Sequence, residues 1–253
     1  MNVTVIKLGG SLLDDATRRE AALRSIVAAW NRGEHVVLVH GGGKHVDAKL
    51  AKLGIEKKTH AGLRITDDAT LDVVVSVLAG TVNKLLVSEL TRLGVNAAGI
   101  SGADAGTIVA IPHPPIGGVE LGHVGQVIDA DDTLINAMLG ARILPVVSSV
   151  AQGPNGSLLN VNADTAASAV AVAMNASALH FITDVAGLLD SSGNVVEFID
   201  HTTAATLIES GVVAGGMRPK LMAALSAIES GVSLVAIGDT IHHGQGGTHL
   251  VAA

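Results

Sequence analysis

Apolar runs that stop at glycine turns constrain this 253-residue chain more than any other feature. Val5-Ile6-Lys7-Leu8 leads into Gly9-Gly10-Ser11, and Val36-Val37-Leu38-Val39 leads into His40-Gly41-Gly42-Gly43-Lys44. A third glycine pair, Gly215-Gly216, opens Met217-Arg218-Pro219-Lys220. A strand that is apolar at successive rather than alternate positions is covered on both faces, as in a parallel sheet between helices. Glycine after such a strand lets backbone N–H groups approach an anion with no Cβ in the way. Lysines near the first and third segments add the mobile positive charge that phosphoryl transfer needs.

The same alternation runs through the chain. Val3 to Leu8, Val36 to Val39, Asn96 to Ile100, Ile143 to Val150, Ala178 to Thr183 and Val232 to Ile237 read as strands. Asp14 to Trp30, Val46 to Leu53, Asp131 to Leu139, Asn162 to Met174, Thr202 to Ser210 and Lys220 to Ser230 read as helices. Asp67 to Ala79 and Thr81 to Leu93 read as two more, broken near Gly80. Ala105 to Val127, rich in proline and glycine, predicts hairpins, and Gly246 to Val251 a turn into a last short strand. Together these predict a single α/β domain, residues 1–253: a three-layer αβα sandwich around a mainly parallel sheet.

Composition narrows the function. Sixteen basic against 23 acidic residues give a net charge of −7 with no polybasic stretch, so neither nucleic acid nor a membrane surface is an expected partner. Aromatic residues are 1% of the chain, which removes base stacking as a binding mode. The absence of cysteine excludes disulfides and thiolate metal sites. No apolar run of membrane-spanning length and no signal segment is apparent, so a cytoplasmic location is expected. The histidines are scattered, with His242-His243 the one close pair, and no fixed metal is expected. The chain lacks G-x-x-x-x-G-K-[ST], lacks G-x-G-x-x-G after its first strand, and lacks G-x-S-x-G.

Individual residues have bland readings and functional ones. Lys7, inside an apolar run, either points to solvent from an edge strand or sits at the carboxyl end of a central strand, aimed into the ligand crevice of an open α/β sheet. Asn160-Val161-Asn162-Ala163-Asp164 precedes a helix; capping explains one or two of these polar groups, and Asp164 could instead hold lysines. Asp184, in Thr183-Asp184-Val185-Ala186-Gly187-Leu188-Leu189, is a turn residue or a neighbour of a nucleotide. Arg64 is a surface arginine or a planar fork for a carboxylate.

These segments together resemble the amino acid kinase family over essentially the whole chain, and within it the enzymes acting on N-acetylglutamate. The resemblance rests on Ile6-Lys7-Leu8-Gly9-Gly10, Val39-His40-Gly41-Gly42-Gly43, Gly62-Leu63-Arg64-Ile65-Thr66, Leu78-Ala79-Gly80-Thr81-Val82-Asn83-Lys84, Glu120-Leu121-Gly122-His123-Val124-Gly125, the doubled asparagine before Asp164, and Thr183-Asp184-Val185-Ala186-Gly187. It implies ATP-dependent phosphorylation of the γ-carboxylate of N-acetyl-L-glutamate, in arginine biosynthesis. Lys7 and Lys220 would grip the transferring group and Asp164 would orient both. Gly9, Gly10, Gly42 and Gly43 would donate N–H groups, the first two to the nucleotide and the others to the acid. Arg64 would pair with the substrate α-carboxylate, and Asn160 would hold the acetylamino part. Asp184, Val185, Ala186, Gly187, Leu188 and Leu189, with Val212, Val213, Ala214, Gly216 and Met217, would flank ATP, which would bring Mg²⁺ with it.

The resemblance further implies an acid-binding lobe (1–175) and an ATP-binding lobe (176–253), in a homodimer without the long N-terminal helix of arginine-inhibited members. Ser11 and Arg218-Pro219 depart from the pattern of some members without removing a proposed catalytic group. Kinases for glutamate, aspartate or carrier-linked aminoadipate are the rival readings within the class. A non-catalytic nucleotide or amino-acid sensor is the rival outside it, and its mark would be the loss of a lysine or of Asp164.

Overall fold

The structure is a computed structural model that describes residues 2–190, 192–211, 213, 215–241 and 246–251. Its strands are β1 (Val3–Leu8), β2 (His35–His40), β3 (Thr59–His60), β4 (Leu63–Arg64), β5 (Ala97–Gly102), β6 (Val109–Pro112), β7 (Gly125–Asp129), β8 (Leu144–Gln152), β9 (Leu158–Asn160), β10 (Ala178–Ile182), β11 (Phe198–Ile199), β12 (Val235–Gly238) and β13 (Thr248–Leu250). Its helices are α1 (Gly10–Asp14), α2 (Ala16–Asn31), α3 (Gly43–Lys52), α4 (Asp68–Val75), α5 (Asn83–Arg92), α6 (Thr133–Gly140), α7 (Ala163–Ala173), α8 (His201–Glu209) and α9 (Met217–Glu229).

The main sheet runs β11-β13-β12-β10-β1-β2-β8-β6-β7, with β5 and β9 also paired to β8. Pairing is parallel through β12-β10-β1-β2-β8, and antiparallel at the hairpins and at β12–β13. Every residue of β1 and of β10 is buried, as expected of strands covered on both faces. The core is almost wholly aliphatic; Phe181 is its largest fully buried side chain. β1 lies between β10 on one side and β2 on the other, so the order of strands reverses beside it. In open α/β sheets the crevice at the carboxyl ends of such strands is where ligands bind.

Besides the short strands β9 and β11, which the sequence reading does not contain, three elements differ from it. Asp15 breaks the helix expected from Asp14 and caps α2, its side chain accepting from the Thr17 and Arg18 N–H groups. No break occurs at Gly80: a π-helical segment, Ser76–Val82, joins α4 to α5. The resulting run Asp68–Arg92 is long and apolar enough to cross a membrane by length and composition, a length hidden when Gly80 is taken as a stop. Here 44% of its apolar window is buried within the fold. The third difference is the hairpin β3–β4, whose turn has positive φ at Ala61 (48°) and Gly62 (81°). Ala-Gly is a weak signal for such a turn, where Asn-Gly would be a strong one.

Candidate active site

Three elements deliver charge to one point. Lys7, at the carboxyl end of β1, lies in register with Phe181 of β10 and Val39 of β2. Asn162 caps α7, accepting from the N–H groups of Asp164 (2.8 Å) and Thr165 (3.2 Å), which fixes Asp164 in the first helical turn. Lys220 comes from the first turn of α9, where the missing N–H of Pro219 costs nothing.

Lys7 Nζ lies 2.7 Å and Lys220 Nζ 3.0 Å from the same atom, Asp164 Oδ1. None of the three residues is more than 7% exposed. Fully ionised, the cluster holds two positive charges against one negative. Burial opposes ionisation of Asp164, but the two ammonium groups outweigh it and hold the carboxyl below the usual carboxylate range. Burial and the neighbouring Lys7 charge pull Lys220 down to about 8, with Asp164 offsetting them in part. The Lys220 ammonium also lies 5.5 Å from the Phe181 ring centroid. A buried excess of positive charge beside a crevice is suited to an anion that brings its own negative charge.

A cavity of about 450 Å³ opens over this cluster, and Lys7, Asp164, Gly42, Gly43, Arg64 and Asn160 are all in its wall. Gly42 must be glycine: its φ is 153°, and a Cβ would meet Leu78 Cδ2 at 3.0 Å and Val82 Cγ2 at 3.2 Å. Arg64 reaches the cavity from the β3–β4 hairpin. Its Nη2 donates to Gly43 O (3.1 Å) and pairs with Asp47 of α3, while Nη1 is buried with no hydrogen-bond partner among the described residues. Half of the guanidinium fork therefore anchors the hairpin and the other half is left with an unused donor.

Distant motifs are stitched together around Asn160. Its Nδ2 donates to Thr66 Oγ1 (3.1 Å) and its backbone N–H to His123 O (2.8 Å). Thr66 N–H donates to Leu121 O (2.9 Å), and His123 N–H to Thr66 O (2.7 Å). The segments 62–66, 120–125 and 160–164 thus form one wall. Of the three polar residues around the start of α7, Asn162 caps, Asp164 holds lysines and Asn160 faces the cavity.

Other expected residues fall differently. Gly9 does not offer its N–H to a ligand: that group donates to Ile182 O (2.8 Å), and Gly9 is glycine because a Cβ would meet the same oxygen at 2.8 Å. Gly10 opens α1 and does line the cavity. In the 184–189 loop, Asp184, Ala186 and Leu189 are exposed and Val185 is half-buried. Gly187 packs on Val195 and Thr248, and Leu188 is buried with its N–H donating to Thr248 Oγ1 (2.7 Å), so these two hold the loop in place. Val213 is likewise buried, its N–H on Leu207 O, whereas Gly216 is exposed and Met217 half-buried at the start of α9. Val212, Ala214, His242 and His243 lie outside the described residues. The sequence reading gave no role to His40 or Asn83, both fully buried behind the Gly41–Gly43 turn. A histidine closing an otherwise apolar buried strand is a signal that could have found His40; Asn83 has no comparable local signal.

Known proteins match this arrangement. The model of the amino acid kinase family matches residues 2–239. The acetylglutamate kinase of Dehalococcoides mccartyi strain BAV1 is 43% identical over 238 residues, covering 92% of this chain and 85% of that protein. The acetylglutamate kinase of Rhizobium leguminosarum bv. trifolii is 38% identical over 249 residues, covering 94% and 84%. The crystal structure of smu.665 from Streptococcus mutans UA159 superposes with a TM-score of 0.87 at 30% identity, covering 98% of each chain. On the family match and on these relatives, the chain belongs to the amino acid kinase family.

Proposed function

We propose that this enzyme transfers the γ-phosphoryl group of ATP to the γ-carboxylate of N-acetyl-L-glutamate, giving N-acetyl-L-glutamyl 5-phosphate for arginine biosynthesis. The observation that carries the mechanism is the placement of two buried ammonium groups on one carboxylate oxygen, with Lys7 and Asp164 in the wall of the cavity and Lys220 joined to it through Asp164. Relatives named acetylglutamate kinase at 38% and 43% identity support the choice of acid.

A carboxylate is ionised at neutral pH, so the attacking oxygen needs no general base. The barrier lies in bringing two anions into line and in cancelling charge on the phosphoryl group as it moves. Lys7 and Lys220 supply that cancellation, and Asp164 keeps both ammonium groups at the site between turnovers. Gly42, Gly43 and Gly10 present backbone at the cavity wall, while Arg64 Nη1 takes the α-carboxylate and Asn160 the acetylamino group. Mg²⁺ enters as part of the nucleotide substrate. Asp164 is the one carboxylate in the wall among the described residues, and its Oδ1 already holds the lysines. The exposed Asp184, Ala186 and Leu189 and the half-buried Val185, with Gly216 and Met217, flank the nucleotide.

The strands after residue 176 lie on one side of β1, which fits an ATP lobe (176–253) beside an acid lobe (1–175). The protein acts as a homodimer in the cytoplasm. Incubation with MgATP, N-acetyl-L-glutamate and hydroxylamine tests the activity. Hydroxamate should form with this acid and not with glutamate or aspartate; turnover of free glutamate alone would overturn the choice.

Arg64→Ala should raise the KM for N-acetylglutamate by about tenfold to a hundredfold, the loss of a charge-assisted hydrogen bond worth ~1.5–3 kcal/mol, with the KM for ATP nearly unchanged. Initial rates over a grid of both substrates decide this; equal effects on the two would remove the assignment. A second prediction follows from Lys220. Only its protonated form attracts phosphate, so kcat/KM for ATP should be level below pH 8 and fall as pH rises above the Lys220 value of about 8. A profile that stays flat well into the alkaline range would contradict the role of Lys220.

A further inference from the structure

The Gly41–Gly43 turn is held from behind by groups that touch no cavity. His40, fully buried, has Nδ1 2.8 Å from Gly41 O. Its other nitrogen, Nε2, lies 3.1 Å from Asn83 Nδ2, and Asn83 is fully buried too. Asn83 Nδ2 also donates to Val146 O (2.9 Å) on β8. On the far side, Lys84 Nζ donates to Asn83 Oδ1 (3.0 Å) and to Gly99 O (3.0 Å).

The chain of donors has one consistent direction. An ammonium group only donates, so Oδ1 of Asn83 faces Lys84 and the amide nitrogen faces His40. Asn83 Nδ2 also lies 3.3 Å from Ile100 O, so the direction at His40 is fixed by Gly41 O: a carbonyl oxygen only accepts, so the neutral ring carries its proton on Nδ1 and leaves Nε2 as an acceptor. Burial keeps this ring neutral, its pKa lowered to about 4. The sequence pays for this arrangement in two places. The π-helical segment Ser76–Val82 runs directly into Asn83, the first residue of α5, which is fully buried. Gly99 leaves the room: a Cβ there would sit 1.7 Å from Asn83 Oδ1.

The carbonyl of Gly41 and the N–H of Gly42 belong to one rigid peptide plane and point in opposite directions. Whatever fixes the first aims the second. We infer that His40 and Asn83 are positioning residues of this site: they lock the Gly41–Gly42 peptide so that Gly42 presents its N–H to the bound acid in one fixed direction. The inference rests on the kinase reading above, because it assigns the turn to substrate alignment.

The test compares His40→Ala, His40→Asn and Lys84→Met with the wild-type full chain. An asparagine at position 40 can still donate to Gly41 O from the place of Nδ1. His40→Ala should lower kcat by about tenfold to a hundredfold, the scale of a small misalignment, with the KM for ATP almost unchanged. His40→Asn should recover most of that loss. Lys84 is exposed at the helix surface, so Lys84→Met keeps the fold readable if His40→Ala does not fold, and should lower kcat several-fold. The second readout is the backbone amide spectrum of Gly42 and Gly43: one sharp signal each in wild type and His40→Asn, broadened or doubled signals in His40→Ala and Lys84→Met. Unchanged Gly42 and Gly43 signals in Lys84→Met, or His40→Asn as impaired as His40→Ala, would overturn the inference. The spectrum needs no substrate. A wild-type enzyme that made no acyl phosphate would therefore defeat the kinase reading while this readout still judged the turn.

Discussion

Lys7→Ala is expected to lower kcat by about 10²–10³, the cost of removing one preorganised charge donor from the transition state, and to leave the fold intact. In the wild type, two buried ammonium groups face one carboxylate. Removing Lys7 leaves Asp164 paired with Lys220, a neutral couple in place of a cluster with excess positive charge. Lys220 loses a repulsive neighbour, so its pKa should move up from the value near 8. The variant should keep the circular dichroism and thermal midpoint of the parent within a few degrees while phosphoryl transfer collapses. Turnover close to wild type would remove Lys7 from the reaction.

Asp164→Ala should act on the fold as strongly as on catalysis. Deleting one partner from a buried charge cluster leaves the remaining charges uncompensated, at a cost of roughly 3–5 kcal/mol. At this chain length that corresponds to a fall in Tm of about 6–20 °C. The pH dependence has a defined sign. Without Asp164, burial and the neighbouring Lys7 charge hold the Lys220 pKa in the fold still further below its unfolded value. The unfolded chain then binds more protons at high pH, and stability rises with pH across that window. Thermal unfolding at pH 6.5 and 9 should show the deficit larger at pH 6.5. A variant as stable as wild type at both would mean that Asp164 does not bind the lysines in solution.

The contrast between these variants explains why Asp164 is an acid at all. Burial and the Lys7 charge both work against the charged form of Lys220, and Asp164 is the neighbour that favours it. The carboxylate holds both ammonium groups there without matching their charge, and the unmatched remainder is what a phosphoryl group completes.

Much of this was legible in the chain. β1 and β10 are apolar along their whole length because both faces are covered, and that pattern survives in the sequence as unbroken runs. A charge inside such a run, Lys7, had to be either exposed or paired, and it is paired. Asn162 wrote the start of α7 through capping chemistry that needs only local residues. What failed to show was set by distant contacts. The β3–β4 hairpin carries Arg64, yet its Ala61-Gly62 turn has no strong local signature and is held by Asp47, Gly43 and the 121–123 segment. Gly80 reads as a helix stop because glycine is a poor helix former; Val77, Leu78 and Val82 around it are buried in the core, and the helix continues in π form. Gly9 and Gly42 look alike in sequence. One is glycine because a neighbouring strand carbonyl crowds it, the other because a helix does and its φ is positive.

The most direct test is a crystal structure with MgADP, N-acetyl-L-glutamate and aluminium fluoride as a mimic of the moving phosphoryl group. The account predicts the fluoride plane between nucleotide and γ-carboxylate, with Lys7 Nζ and Lys220 Nζ both within about 3 Å of fluorine atoms and still attached to Asp164. A mimic bound in line with either ammonium turned away from it would contradict the account.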